Sequence, residues 1–198
     1  MSTLYTDNIR ANNASQITLP TGQKIVGTDS GSIVAPGHVI QVQKATVNSR
    51  TTFTSTAYIT SGLAINFTPK FTNSMLHVVC TGTLADDGGQ ATTGAVFRRV
   101  ISGTTSYSPL GNTAHGNINS PDGATMAAYQ GNDGAGNNKQ SPFTMEWFDD
   151  THNTTGQITY TVMVANNGSG SNTTAFGGLG NQNEYNIVST LSVWEIAQ

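Results

Sequence analysis

Leu63-Ala64-Ile65-Asn66-Phe67-Thr68 alternates residue by residue, with Leu63, Ile65 and Phe67 on one side and Ala64, Asn66 and Thr68 on the other, until Pro69 ends the run. A two-residue period belongs to a strand with one face buried and one wet, and proline cannot continue the hydrogen-bonded ladder. Ile158, Tyr160, Val162 and Val164 repeat the pattern. Working outward, further strands are expected over residues 38–47, 52–60, 75–84, 95–102, 143–148 and 187–196. β-Branched and aromatic residues dominate these segments, and no sustained helical period competes with them. Residues 103–141 are rich in Gly, Asn, Ser and Pro, and only 124–130 within them reads as strand. About eight or nine short strands separated by turn signals give an all-β chain, an antiparallel β-sandwich of jelly-roll type.

Two of the strands are apolar on both faces. In 187–196, Ile187, Leu191 and Val193 point one way and Val188, Trp194 and Ile196 the other; Met75 and Val79 oppose Leu76, Val78 and Cys80 in the same manner. Such a strand needs a second dry surface. A covering loop would supply one, and so would a subunit interface of an obligate oligomer.

The first 37 residues have another character. Small apolar beads (Leu4-Tyr5, Ile9, Ile17, Leu19, Ile25-Val26, Ile33-Val34) are separated by polar, turn-prone spacers, and the pattern breaks at Pro36-Gly37. Nine larger apolar side chains are too few to offset a backbone ordering cost of about 1–2 kcal/mol per residue. Residues 1–37 are therefore expected to form an extended docking or oligomerisation arm ordered by neighbouring chains, with Leu4, Ile9, Ile17, Leu19, Ile25 and Val26 as its anchors. Residues 38–198 are expected to form the β-sandwich.

Composition narrows the functional classes. Charged residues make up 10% of the chain, the net charge is −3, and no Lys/Arg run occurs. That balance disfavours nucleic acid as a partner. No apolar stretch approaches the ~20 residues that span a bilayer, so membrane insertion is not expected. Met1-Ser2-Thr3-Leu4 lacks the basic and apolar regions of a signal peptide, so synthesis in the cytoplasm is expected. Cys80, the only cysteine, reads as a small buried hydrophobe and leaves no intrachain disulfide.

Catalytic chemistry finds little support. His38, His77, His115 and His152 show no metal-ligand spacing. Asp86-Asp87-Gly88-Gly89 and Asp149-Asp150 lack the alternating oxygen ligands of a calcium loop and read as acidic turns. Asp149 and Asp150 are adjacent and should face opposite ways on a strand, a poor geometry for a glycosidase pair. No Walker, dinucleotide or nucleophile-elbow fingerprint occurs. The expectation is a non-enzyme without cofactor or metal.

Two binding features stand out. Within Phe97-Arg98-Arg99-Val100-Ile101 one arginine must point toward apolar neighbours. It either bridges to Glu195 or Glu146 of another subunit or lies at an edge with its stem over apolar surface. Arg98, Arg99, Trp194 and Ile196 are therefore the candidate subunit-interface residues. Tyr107, His115, Tyr129 and His152 lie in or near polar loops, where rings stack on sugars, and are the candidate receptor-loop residues. Closing small cores beneath long loops is the competing role for them.

Two stretches carry a resemblance. Thr18-Leu19-Pro20-Thr21-Gly22-Gln23-Lys24-Ile25-Val26-Gly27-Thr28-Asp29, then Gly31-Ser32-Ile33-Val34-Ala35-Pro36-Gly37-His38-Val39-Ile40-Gln41-Val42, resembles the N-terminal region of tail-fibre and other virion structural proteins of marine and cyanobacterial phages. Gly62-Leu63-Ala64-Ile65-Asn66-Phe67-Thr68-Pro69-Lys70-Phe71 and Leu191-Ser192-Val193-Trp194-Glu195-Ile196-Ala197-Gln198 look like the same group. Residues 103–141 and 166–185 lie outside the resemblance. It implies a virion structural protein: a short arm docked to tail or capsid proteins, and a β-domain that is a homotrimeric jelly roll of the C1q/tumour-necrosis-factor kind. A tail fibre would display its loops to a host surface glycan. A capsid decoration or cement protein and, more remotely, a polysaccharide depolymerase are the alternatives.

Overall fold

In the computed structural model every regular element among the described residues, 20–27, 34–87, 92–108, 127–130, 139–166, 173–177 and 187–198, is a β-strand. The chain divides into two units, Met1–Ile33 and Val34–Gln198. In the first, Gln23 N donates to Pro20 O at 3.0 Å across a turn that holds Gly22 at φ +84°. Ile25 and Val26 follow it, 68% and 67% exposed. The other expected anchors, Leu4, Ile9, Ile17 and Leu19, lie outside the described residues.

The second unit runs β1 (Val39–Val47), β2 (Thr51–Phe53), β3 (Ile59–Phe67), β4 (Met75–Asp87), β5 (Thr92–Ile101), β6 (Thr104–Tyr107), β7 (Ala127–Gln130), β8 (Lys139–Asp149), β9 (Ile158–Asn166), β10 (Thr173–Phe176) and β11 (Ser189–Ile196). All pairings are antiparallel, and two sheets result. In the first, β4 is central. One of its edges carries β8 from Leu76 to Asp86, and the other carries β11 over Met75–Thr81 and β10 over Leu84–Asp87. β1 lies outside β11, and β2 outside β10. In the second sheet the order is β3-β9-β5, with β6 and β7 sharing the far edge of β5.

The inward residues of both sheets meet in one core. Leu76, Val78, Cys80, Met145, Trp147, Leu191 and Val193 come from the first sheet; Leu63, Ile65, Phe67, Ala95, Phe97, Ile158, Tyr160, Val162 and Val164 come from the second. This is the antiparallel β-sandwich the alternation implied. β9 is buried on both faces, since Met163 and Ala165, which point outward, are also sealed.

Three expectations need correction. Residues 52–60 do not form one strand: β2 ends at Phe53, and the Ser55 hydroxyl bonds Ala57 N (3.1 Å) and O (2.9 Å), turning the chain before β3. Within the polar stretch 103–141, Thr104–Tyr107 is a strand. Ser102 (φ +49°) and Gly103 (φ +83°) are both left-handed and form a two-residue hairpin that folds it onto β5. Thr173–Phe176 is also a strand, clamped between β2 and β4.

One glycine is indispensable to this arrangement. Gly177 sits at φ +90°, and a Cβ there would lie 2.8 Å from the Ser49 carbonyl oxygen. Only glycine lets β10 leave the sheet this close to the β1–β2 turn.

Burial makes the core pH-sensitive on the alkaline side. Burial pushes the Cys80 thiol from 9.0 to about 12. Burial, followed by the neighbouring Asp149 charge, raises the Tyr160 phenol above its ordinary 10.0. The folded chain thus keeps protons that the unfolded chain releases, and the stability present below the unfolded values is lost as pH rises through this window. Urea midpoints should hold from neutrality to about pH 9 and fall as pH climbs toward about 12. Cys80→Val, close in volume, should delay the onset to about 10, where the phenol of the unfolded chain begins to release its proton. Equal onsets in the two proteins would contradict this.

Candidate interaction surface

The register of the first sheet aligns its outward side chains in rows across four strands. Val42 of β1 lies opposite Trp194 of β11, Trp194 opposite His77 of β4, and His77 opposite Phe148 of β8. At strand spacings of about 4.8 Å, the row spans roughly 14 Å. Val42, Trp194 and Phe148 are 45%, 40% and 49% exposed. His77 stacks flat on Phe148, centroids 4.2 Å apart and planes at 8°, while its Nε2 lies 3.0 Å from Glu146 Oε2. On one side the row is continued by Val39, Ile196 and Met75. On the other, Lys44, Ser192, Val79 and Glu146 follow, with an acid and a base at opposite ends. Further along, Thr81, Thr83, Pro142, Thr144 and Val188 line a shallow hollow of about 420 Å³.

Directly behind this face the inward row is polar at three of its four positions. Gln41, Glu195, Leu76 and Asp149 are successive cross-strand partners. Glu195 is fully buried and accepts from the backbone N–H groups of Lys70 and Phe71 (both 2.9 Å), the Ser74 hydroxyl (2.7 Å) and the Gln41 amide (2.6 Å). The carboxylate thereby ties the β3–β4 connection to the last strand. Asp149, also fully buried, accepts from Arg99 Nη1 of the opposite sheet (2.5 Å) and from the Tyr160 hydroxyl (2.6 Å). Arg99 lies 5.2 Å from the Trp147 ring centroid, and its Nε donates to Ser106 at 3.1 Å. Trp147 meets Tyr160 edge-on at 5.9 Å.

These contacts reassign several sequence candidates. Arg99 does not reach another subunit, because Asp149, Thr151 and Ser106 take up its guanidinium inside the sandwich. Glu195 is no bridge acceptor, being sealed among four donor groups, whereas Glu146 stays largely exposed beside His77 on the first sheet. Arg98 lies on the outward side of the second sheet, away from Trp194 and Ile196 on the first. His152 is not displayed: it is 3% exposed, and its Nε2 donates to Phe71 O at 3.1 Å. The Asp149 turn folds it back beneath the β3–β4 connection. Tyr107 sits half-buried on β6 opposite Arg98. Tyr129 pairs through its backbone with Thr93, and its side chain, like all of His115, lies outside the described residues. Asp149 and Asp150 part as adjacent strand residues should, one buried and one exposed. The alignment of Val42, Trp194, His77 and Phe148 in one row escaped sequence reasoning; only the cross-strand register reveals it.

No protein-family model and no curated protein matches the chain. Among solved structures, the Gx strain of infectious bursal disease virus is similar at 12% identity and a TM-score of 0.34, over 89% of this chain and 41% of that one. The T13 particle of the same virus gives 14% identity and a TM-score of 0.32, over 88% and 40%. Its VP2 subviral particle gives 13% and 0.29, over 89% and 43%. The chain spans about two fifths of the length of these proteins. Overlaps of this size do not define a common fold.

Proposed function

We propose that the chain is a bacteriophage virion structural protein, a homotrimeric appendage of tail-fibre type attached to the particle through residues 1–37. The observation that carries this reading is the outward row of Val42, Trp194, His77 and Phe148. It is an apolar and aromatic strip, continued by Met75 and Ile196, on a sheet whose other face already fills a core. Its occupant is a second copy of the chain. Lys44 on β1 and Glu146 on β8 stand at opposite ends of one row, so a neighbour offset around a symmetry axis sets opposite charges together. The strand order supports a jelly roll: the longer strands run β1-β11-β4-β8 in one sheet and β3-β9-β5 in the other, with the four-residue β6 and β7 both on the far edge of β5. Two interleaved Greek keys would run this way with β7 as the outer strand.

The arm reading draws on the resemblance and on Ile25 and Val26, two large apolar side chains left in water within a separate unit. Their burial would have to come from a protein of the particle. A rigid sandwich carried in several copies would also turn weak contacts with a host surface glycan into useful avidity.

Trp194→Glu should convert the trimer to monomer in native mass spectrometry while the far-ultraviolet spectrum is kept, because the side chain makes no core contact. An unchanged trimer would remove the row from the interface. On the particle, deletion of residues 1–37 should leave a folded domain that no longer co-purifies with virions. Quantitative mass spectrometry of whole virions should find few copies, located at the tail; hundreds spread over the head would indicate a cement protein instead.

A further inference from the structure

β5 places two arginines back to back, and their surroundings differ sharply. Arg99 points inward and is satisfied by Asp149, Thr151 and Ser106. Arg98 points outward from the second sheet, half-buried between Tyr107 of β6 and Thr161 of β9. Its Nε is shielded from solvent without a hydrogen-bond partner, and its Nη2 reaches only the Thr161 hydroxyl, at 3.5 Å. Among the described residues no carboxylate lies within ion-pairing distance of it. A guanidinium carries five donors in a fixed plane, and leaving them unmatched while partly desolvated is costly. Two parallel bonds from such a fork suit a planar carboxylate, as they do a phosphate.

The surroundings say what bears that carboxylate. The Tyr107 ring stands directly across from Arg98. The next outward row holds Thr105, the half-buried Val100, Thr159 and Asn66, with Thr159 Oγ1 donating to Asn66 Oδ1 at 2.8 Å. Around one small aliphatic residue these are hydroxyls, an amide and an aromatic ring, the partners of a sugar. A protein contact would need an apolar centre. The exposed large apolar side chains of this unit among the described residues (Val34, Val39, Val42, Phe71, Phe148, Val188 and Trp194) include none from β3, β5, β6 or β9.

We infer that Arg98, with Tyr107 beside it and the buried Thr161 steadying it from behind, forms a binding site for the carboxylate of an acidic sugar, on the sheet opposite the proposed subunit face. The inference deepens the reading of the chain as a particle component that meets a cell-surface glycan, and rests on it. Arg98 grips the carboxylate, Tyr107 stacks on the sugar ring, and the threonine–asparagine row meets its hydroxyls.

The test follows the Arg98 Nε–H resonance of the ¹⁵N-labelled full chain, assigned by its loss in Arg98→Gln, during titration with sodium glucuronate. Parallel titrations use glucose, sodium acetate and an acidic peptide. Glucuronate should move the signal saturably, and glucose and acetate should need at least tenfold higher concentration for the same shift. Tyr107→Ala should weaken the glucuronate response several-fold with an unchanged melting temperature. No glucuronate response, an equal response to acetate, or a preference for the peptide would each overturn the inference. So would a change of oligomeric mass in Arg98→Gln, which would place the arginine at a subunit contact. Should Arg98→Gln fail to fold, Arg98→Lys supplies the assignment, and the wild-type and Tyr107→Ala titrations still decide. Virion association separates the two claims: a particle component indifferent to glucuronate loses only this site, whereas a glucuronate binder absent from particles loses only the virion role.

Discussion

A sheet with apolar side chains on both faces cannot finish in water. In the first sheet Leu76, Val78, Cys80, Leu191 and Val193 fill the core, and one residue out of phase Val42, Trp194, His77 and Phe148 line the other side. Burial of apolar area is worth about 25 cal/mol per Å², so a strip centred on an indole and a phenyl ring favours association. The proposed association of copies rests on that requirement. The His77–Phe148 stack and its link to Glu146 hold the strip flat and give its edge a polar limit.

Such a face is useful only if the sheet behind it is rigid, and two buried carboxylates make it so. Glu195 is the residue after Trp194: the strand that presents the indole outward is pinned inward by four donor groups. Asp149 follows Phe148 in the same way, and through Arg99 and Tyr160 it ties β8 to the opposite sheet. Each outward aromatic thus has an inward anchor as its immediate chain neighbour. Breaking either anchor would leave a buried charge or buried donors unpartnered, a far larger penalty than losing an exposed ion pair.

Much of the fold was legible in the sequence because alternation is a local property. Leu63-Ala64-Ile65-Asn66-Phe67 reads as β3 without help. Strands whose partners supply the order were not. Thr104–Tyr107 contains no large aliphatic residue and exists because the Ser102-Gly103 turn returns it to β5, while Thr173–Phe176 is held from both sides. The polar anchors were less legible still. Glu195 sits in Trp-Glu-Ile and reads as a surface acid seeking an arginine, since the backbone N–H groups of Lys70 and Phe71 that satisfy it leave no trace in side-chain identity. Arg98 and Arg99 were recognisable as unusual, but which of them faced the core depended on register. His152 looked like a loop residue and is buried because the chain doubles back after Asp149.

Hydroxyl-radical footprinting of the full chain across a dilution series probes the proposed subunit face at its centre, because indole and thioether groups react fast when wet. Trp194 and Met75 should be protected at working concentration and become reactive together as the protein is diluted, while Trp147 in the core stays protected throughout. Trp194 reacting at the same rate at every concentration, with no protection at the highest, would contradict the account, since the sheet would then present its apolar row to water with nothing to cover it.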